Sequence, residues 1–118
     1  MDQQAKYSGV GLSGTESQIE WAERIRLSVQ SEFDRVAKAF LQVASRQQGQ
    51  DRLETLAVIA ILEEKRAETL ANDHAGYFIR VWQELSDQVR RLLSEDARFQ
   101  TIDAERRARK ARQSALRK

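Results

Sequence analysis

The sequence predicts an all-α protein, a bundle of about three helices built on one long amino-terminal helix. The chain of 118 residues contains no proline, so no residue that lacks a backbone N–H interrupts a helix. Apolar residues also recur every three or four positions over most of its length, which is the helical period. We divide the chain into a flexible amino-terminal arm (residues 1–11), a helical bundle (residues 12–102) and a basic, helical or disordered tail (residues 103–118).

The long helix is predicted within residues 12–48. Both Ser13 with Glu16 and Thr15 with Gln18 fit the capping-box pattern that starts a helix. The next glycine is Gly49, a candidate carboxy-terminal cap, so one helix of about 33 residues and about 50 Å is expected. Its inward positions follow the helical period: Ile19, Ala22, Ile25, Val29, Phe33, Val36, Phe40 and Val43.

A second helix, capped by Asp51, is apolar on almost every side between Leu53 and Leu62. That half is expected to be the most deeply buried element, or a face offered to another subunit. Residues 72–76 are poor helix formers and predict a break before a third helix that ends near Ser94, although the apolar register continues through them and also allows a single kinked helix. A short apolar segment with Phe99 and Ile102 is expected to dock on the bundle.

One face of the long helix is basic. Advancing about 100° per residue from Arg24 brings Arg35, Lys38 and Arg46 to the side opposite the apolar positions, and no carboxylate follows Glu20 on this side. We call Arg24, Arg35, Lys38 and Arg46 the basic line. Such a line is either a solvated helix face or a surface for a polyanion.

The charge of the chain is unevenly distributed. Of the 20 lysines and arginines, seven lie in residues 106–118, where there is no carboxylate, so the rest of the chain carries 13 cations against 18 carboxylates. A basic tail on an acidic body indicates a nucleic-acid or acidic-protein partner, or a solubilising segment. Because the tail has little apolar area to bury, we expect it to be frayed alone and its removal to leave the bundle folded.

Phosphate contacts are expected from cations of the tail and of the third helix, with Glu84 and Asp87 diluting the charge on that helix. Trp21 is expected at the core edge or, alternatively, as a base-stacking platform. The candidate contacts outside the basic line are Arg80, Arg90, Arg91, Arg106, Arg107, Arg109, Lys110 and Arg112.

No group of residues predicts catalysis. The chain has no cysteine and one histidine, and His74 lies on the inward line of its helix, where a structural role is expected. Gly9, Gly11 and Gly14 are spaced as in a phosphate-binding loop, but no strand precedes them. We therefore expect no enzyme, cofactor or metal. No apolar run approaches 18 residues, so we also expect no membrane span and a cytoplasmic location.

Two resemblances suggest a context. The opening L-S-G-T-E-S-Q-I-E-W-A-E-R-I-R, residues 12–26, resembles the start of small plasmid- and phage-borne bacterial proteins of unclear function. The architecture is similar to that of the small subunit of multisubunit CRISPR effector complexes, particularly plasmid-borne type IV systems. That resemblance implies a helical, stacking subunit that holds guide RNA or target strand without cutting it.

These observations favour a non-catalytic nucleic-acid-binding and assembly subunit of a bacterial ribonucleoprotein, with other protein subunits as partners. The alternative is a protein-binding adaptor or an anti-defence inhibitor from a mobile element, whose basic tail would contact an acidic protein surface.

Overall fold

The computed structural model describes residues 11–117, except the side chain of Ser86, and these residues contain five helices and no strand. The all-α prediction is confirmed over this range, and the expectation for the arm at residues 1–10 lies outside it. The helices are α1 (Glu16–Ala44), α2 (Gly49–Leu70), α3 (Ala75–Val81), α4 (Leu85–Ser94) and α5 (Ala97–Leu116).

The capping box at the start of α1 is the one formed by Thr15 and Gln18. The Thr15 backbone N–H donates to the Gln18 side-chain oxygen over 3.0 Å, and the Gln18 backbone N–H donates to the Thr15 hydroxyl over 3.3 Å. The helix ends at Ala44, so it has 29 residues, fewer than the predicted number. Gly49 does not cap α1, because α1 ends at Ala44 with Ser45 as its C-cap and Gly49 is the first residue of α2.

Helix α2 runs antiparallel to α1. Asp34 of α1 forms an ion pair with Arg66 at 2.7 Å, and Arg26 donates to the carbonyl of Leu70 at 2.9 Å. Arg26 is only 6% exposed, a burial that its place in the sequence pattern did not predict. Its guanidinium lies at the end of α2, where a cation stabilises the unpaired carbonyl groups.

The predicted break between the second and third helices is confirmed at residues 71–74. Ser13 lies beside this segment: its N–H donates to the Asp73 carbonyl at 2.6 Å, and its carbonyl accepts from Ala75 at 2.9 Å. The expectation of an inward His74 is wrong, because its side chain is 72% exposed. His74 precedes α3 in extended backbone, so the helical register that pointed it inward does not apply.

The predicted third helix is two helices, α3 and α4, separated by residues 82–84. Neither proline nor glycine causes this break. The Gln88 side chain instead accepts from the N–H of Glu84 at 2.8 Å and donates to the carbonyl of Val81. One amide therefore satisfies two of the backbone groups that the break leaves without a helical partner.

The main core lies between α1, α2, α3 and α4. Phe33 of α1 is 1% exposed, and its ring centroid is 6.0 Å from that of Trp82. Val43, by contrast, is 45% exposed, although its spacing predicted an inward position. The other predicted α1 positions are buried (Ala22, Val29 and Val36) or partly buried (Ile19, Ile25 and Phe40).

A second, smaller core cluster attaches α5 to the bundle. Val58 and Ile61 of α2 and Leu93 of α4 are buried together, with Phe99 and Ile102 packed against them. The predicted docking of the Phe99 segment is therefore confirmed. The cluster fixes the first half of α5 relative to α2 and α4.

Replacing Phe33 with alanine should show how much the main core contributes to stability. A fully buried phenylalanine that is truncated leaves a cavity, so we expect the free energy of unfolding to fall by about 3–5 kcal/mol. Leu41→Ala is the control, since Leu41 lies on the same helix and is 52% exposed. Urea unfolding of both variants measures the difference, and an equal fall in both would contradict the described packing of α1.

Candidate nucleic-acid interface

Helix α5 lies antiparallel along α2. Ion pairs join Arg98 to Glu64 at 2.9 Å, Arg106 to Glu54 at 3.2 Å and Arg109 to Asp51 at 2.7 Å. The residue number on α2 decreases as the residue number on α5 increases, as antiparallel packing requires. The basic tail is thus part of a continuous helix that begins at Ala97 and ends at Leu116. The expectation of a tail that is frayed on its own does not match this structure, because the sequence pattern did not reveal these carboxylate partners.

Glu54 is the centre of this contact. Its carboxylate is 5% exposed and accepts two hydrogen bonds from Arg109 at 2.7 Å and one from Arg106 at 3.2 Å. Arg106 also donates to the hydroxyl of Thr55 at 3.1 Å. A buried carboxylate is costly unless it is paired, so Arg106 and Arg109 hold α5 on α2. Both were predicted to contact phosphate, and in this structure both already have carboxylate partners.

The pKa values reflect this pairing. The hydrogen bonds from Arg109, together with the weaker one from Arg106, lower the pKa of Glu54 to about 2 against the opposing effect of burial. The same hydrogen bonds raise the pKa of Arg109 above its ordinary value. Both groups are therefore charged at neutral pH.

Four other cations gather at the end of the molecule where α1 ends and α2 begins. Arg46 lies in the turn between these helices. Lys110 and Arg117 line a surface depression together with Asp51, close to the start of α2, and Arg112 is on the same final turns of α5. We call Arg46, Lys110, Arg112 and Arg117 the basic end. All four are exposed, and none has an ion-pair partner within residues 11–117.

The carboxylates near the basic end are already neutralised. Asp51 and Glu54 both bind Arg109, and residues 106–117 contain no carboxylate. The field at this end is therefore positive, and its exposed cations are available to an anion from outside.

The basic line on α1 is shorter than predicted. Arg46 lies beyond the end of the helix, which leaves Arg24, Arg35 and Lys38 on α1, spread over about 21 Å. Arg24 and Lys38 are exposed and have no ion-pair partner within residues 11–117. Arg35 makes two hydrogen bonds to Glu32, at 2.8 and 3.0 Å, while 54% exposed. Such an exposed pair is weak and can be exchanged for a phosphate.

The remaining predicted contacts are exposed but dispersed. Arg90 lies 6.0 Å over the ring of Phe40, Arg91 is 3.6 Å from Glu84 and Arg107 is 3.1 Å from Asp103. Arg80 is exposed on α3. Trp21 is 52% exposed, so about half of its side chain is accessible to solvent.

Two groups of this site were missed by sequence reasoning. Glu54 was treated only as part of an apolar helix. Asp51 was predicted to cap α2, but the N-cap is Gln48 and Asp51 lies in the first turn of the helix. The spacing of Arg106 and Arg109, three residues apart on one face of a helix, was an available signal for a shared acidic partner.

Comparisons with known proteins give no relative for this chain: it matches no protein-family model, no curated protein and no solved structure. Among residues 11–117, no three histidine, aspartate or glutamate side chains are grouped as a metal site would need. None of the helices described here combines the length and apolar character that a membrane span requires.

The pH dependence of stability should report the Glu54 contact. Its pKa is about 2 in the folded chain and near 4.5 when unfolded, so its stabilising contribution is complete above about pH 4.5 and disappears as the pH falls towards 2. Glu54→Gln should lower stability at pH 7 and remove this part of the pH dependence. Urea unfolding between about pH 7 and 3 measures it, with the exposed Glu68→Gln as control. Parallel pH profiles for parent and Glu54→Gln would show that Glu54 is not paired in the folded state.

Two truncations separate the structural and free parts of α5. Removing residues 106–118 takes both arginines from Glu54 and should cost about 3 kcal/mol, the low end for breaking a buried ion pair, in contrast to the expectation from sequence. Removing residues 112–118 leaves both arginines in place and should change stability by less than about 0.5 kcal/mol. Thermal unfolding of the two truncated chains tests this, and equal stability would mean that the arginines do not hold α5.

Proposed function

We propose that this protein is a non-catalytic nucleic-acid-binding and assembly subunit of a bacterial ribonucleoprotein, and that it contacts the phosphate backbone through the basic end. The observation that supports the proposal best is the grouping of four exposed cations, unpaired within residues 11–117, at one end of an elongated molecule. The described residues extend over 66 × 24 × 18 Å, so the basic end is one tip of a long, narrow molecule.

The basic end has the properties that a phosphate backbone requires. Exposed lysines and arginines attract phosphates without reading bases, so binding should depend on salt and hardly on sequence. Arg106 and Arg109 fix α5 in place, which means that Lys110 and Arg112 are presented by an ordered helix, and Arg117 directly follows its last residue. Preorganised cations bind an anion with a smaller entropic penalty than cations on a disordered tail.

The basic line continues this surface. Arg46 belongs to the basic end and also follows Lys38 at the end of α1. We propose that a strand bound at the basic end continues along α1 past Lys38 and Arg35 towards Arg24. Trp21, half exposed one turn before Arg24, would then offer a ring on which an unpaired base can stack.

The resemblance to CRISPR small subunits makes a guide RNA or target strand the proposed ligand, and a multisubunit complex in the cytoplasm the proposed setting. The rival function, a protein-binding adaptor or anti-defence inhibitor, is favoured by a different observation. Leu53 and Leu56 on α2 are 62% and 40% exposed, an apolar surface that nucleic acid does not use.

Two variants in which the same amount of positive charge is removed test the proposal. The first replaces Arg46, Lys110, Arg112 and Arg117 with glutamine, and the second replaces Arg24, Arg35, Lys38 and Arg80. Because all eight side chains are exposed, both variants should stay within about 0.5 kcal/mol of the parent in stability. Fluorescence anisotropy with a mixed-sequence single-stranded RNA and a DNA duplex, titrated with salt, gives affinity and salt slope.

The basic-end variant should bind more weakly, and the slope of log affinity against log salt should fall by about 0.7–0.9 for each phosphate that the variant no longer neutralises. A smaller decrease is expected for the second variant, in which Arg24, Arg35, Lys38 and Arg80 are replaced. Curves for both variants that coincide with the parent curve would reject nucleic-acid binding by these surfaces, and the adaptor function would then be preferred.

A further inference from the structure

Helix α2 has an outward face that no other described element covers. Its residues follow the helical period and lie opposite the buried Val58 and Leu62. Leu53 and Leu56 are 62% and 40% exposed. We call the exposed set the outer α2 stripe: Gly49, Leu53, Leu56, Ala57, Ala60 and Ala67.

The stripe changes in size along the helix. Its large side chains, Leu53 and Leu56, lie towards the amino terminus of α2, whereas Ala60 and Ala67 lie towards the carboxy terminus. In helix packing, a large side chain fills the hole between four residues of the facing helix. On α2 such a hole is formed by Ala60, Glu63, Glu64 and Ala67. Glu64 is on the α5 side, where it pairs with Arg98 at 2.9 Å, and the two alanines leave room for a leucine.

This gradient fits a second copy of the same helix in antiparallel orientation. When two copies of α2 cross near residue 58, Leu53 of each lies over the hole that contains Ala60 and Ala67 of the other, and Leu56 lies beside Ala60. A parallel arrangement instead sets leucine against leucine and alanine against alanine, which crowds one half of the contact and leaves gaps in the other.

The charges at the edge of the stripe agree with the antiparallel arrangement. Arg52 and Glu63 are 11 residues apart, about three helical turns, so they lie on the same edge of α2. Arg52 is exposed and has no ion-pair partner within residues 11–117. Glu63 pairs with Arg66 at 3.7 Å. Antiparallel pairing brings Arg52 of each copy beside Glu63 of the other, and two-fold symmetry makes this contact twice.

We infer that the outer α2 stripe is the interface of a two-fold symmetric homodimer with antiparallel α2 helices. The contact uses neither the basic end nor the basic line, so it is independent of nucleic-acid binding. Because the start of α2 lies at the basic end, the antiparallel dimer directs its two basic ends in opposite directions.

Cysteine cross-linking tests both the contact and its orientation. The chain contains no cysteine, so a single introduced thiol has no competitor. Ala57 lies close to the proposed two-fold axis, and Ala57→Cys should form a disulfide between copies under mild oxidation. Ala67→Cys should not, since its two copies lie about 27 Å apart along an antiparallel pair, well beyond disulfide reach. Disulfide formation by both variants would overturn the antiparallel arrangement in favour of a parallel one.

Sedimentation equilibrium tests the dimer without any cross-link. The full chain should sediment with twice its 13.6 kDa mass at micromolar concentration. Leu53→Glu with Leu56→Glu should weaken dimerisation by about 100-fold or more, about tenfold or more for each buried anchor. Leu27→Glu, a change at a 46% exposed leucine of α1, should not weaken dimerisation.

Arg52→Glu and Glu63→Arg should each weaken the dimer, and the double variant should restore most of the affinity.

A parent chain that stays monomeric at about 100 μM, far above the Kd expected of a specific dimer, would overturn the inference, whatever the basic-end variants do to nucleic-acid binding. In that case thiol labelling of Ala57→Cys identifies the occupant of the stripe. Slow labelling that becomes fast when residues 2–10 are deleted would assign the stripe to the amino-terminal segment. Fast labelling in the full chain would show that neither a second copy nor the amino-terminal segment covers the stripe.

Discussion

The charge on Glu54 holds the second half of α5 on α2, and with it fixes the distribution of positive charge at that end of the molecule. A carboxylate that is 5% exposed requires cationic partners, since an isolated buried charge is strongly destabilising. Arg106 and Arg109 supply them from a helix that is rich in cations. The same contact therefore anchors α5 and removes two arginines from the set that can bind an external anion.

Helix α5 is held at two places by different forces. At its start, Phe99 and Ile102 bury apolar surface against α2 and α4. The N-cap carboxylate Asp96 pairs with Lys65 of α2 at 3.1 Å, and its hydrogen bond from Arg98 lowers its pKa. Further along, the contact is ionic. Because ionic and apolar contacts respond differently to pH and salt, we expect conditions that weaken ion pairs to loosen the second half of α5 before the first.

Sequence reasoning succeeded where structure is decided by neighbours in the chain. The capping box of Thr15 and Gln18 and the break after Leu70 depend on a few adjacent residues, and both are present. It failed where a distant partner decides. The exposure of His74 follows from the segment that pairs with Ser13, and the order of the tail depends on Glu54. Periodicity identifies the faces of a helix but not which other helix covers them.

The same limit applies to the candidate site. Lys110, Arg112 and Arg46 could be identified as cations from the sequence, but Arg46 was assigned to a helix face and the other two to a loose tail. Antiparallel packing of α5 on α2 is what brings these three to one end of the bundle. The outer α2 stripe has the same origin: once α1, α4 and α5 have taken the other sides of α2, Leu53 and Leu56 are left in solvent. A helix that is apolar on nearly all sides gains most when its last side is also covered. The basic surface at the end of α2 and the apolar surface on its side both follow from one packing arrangement.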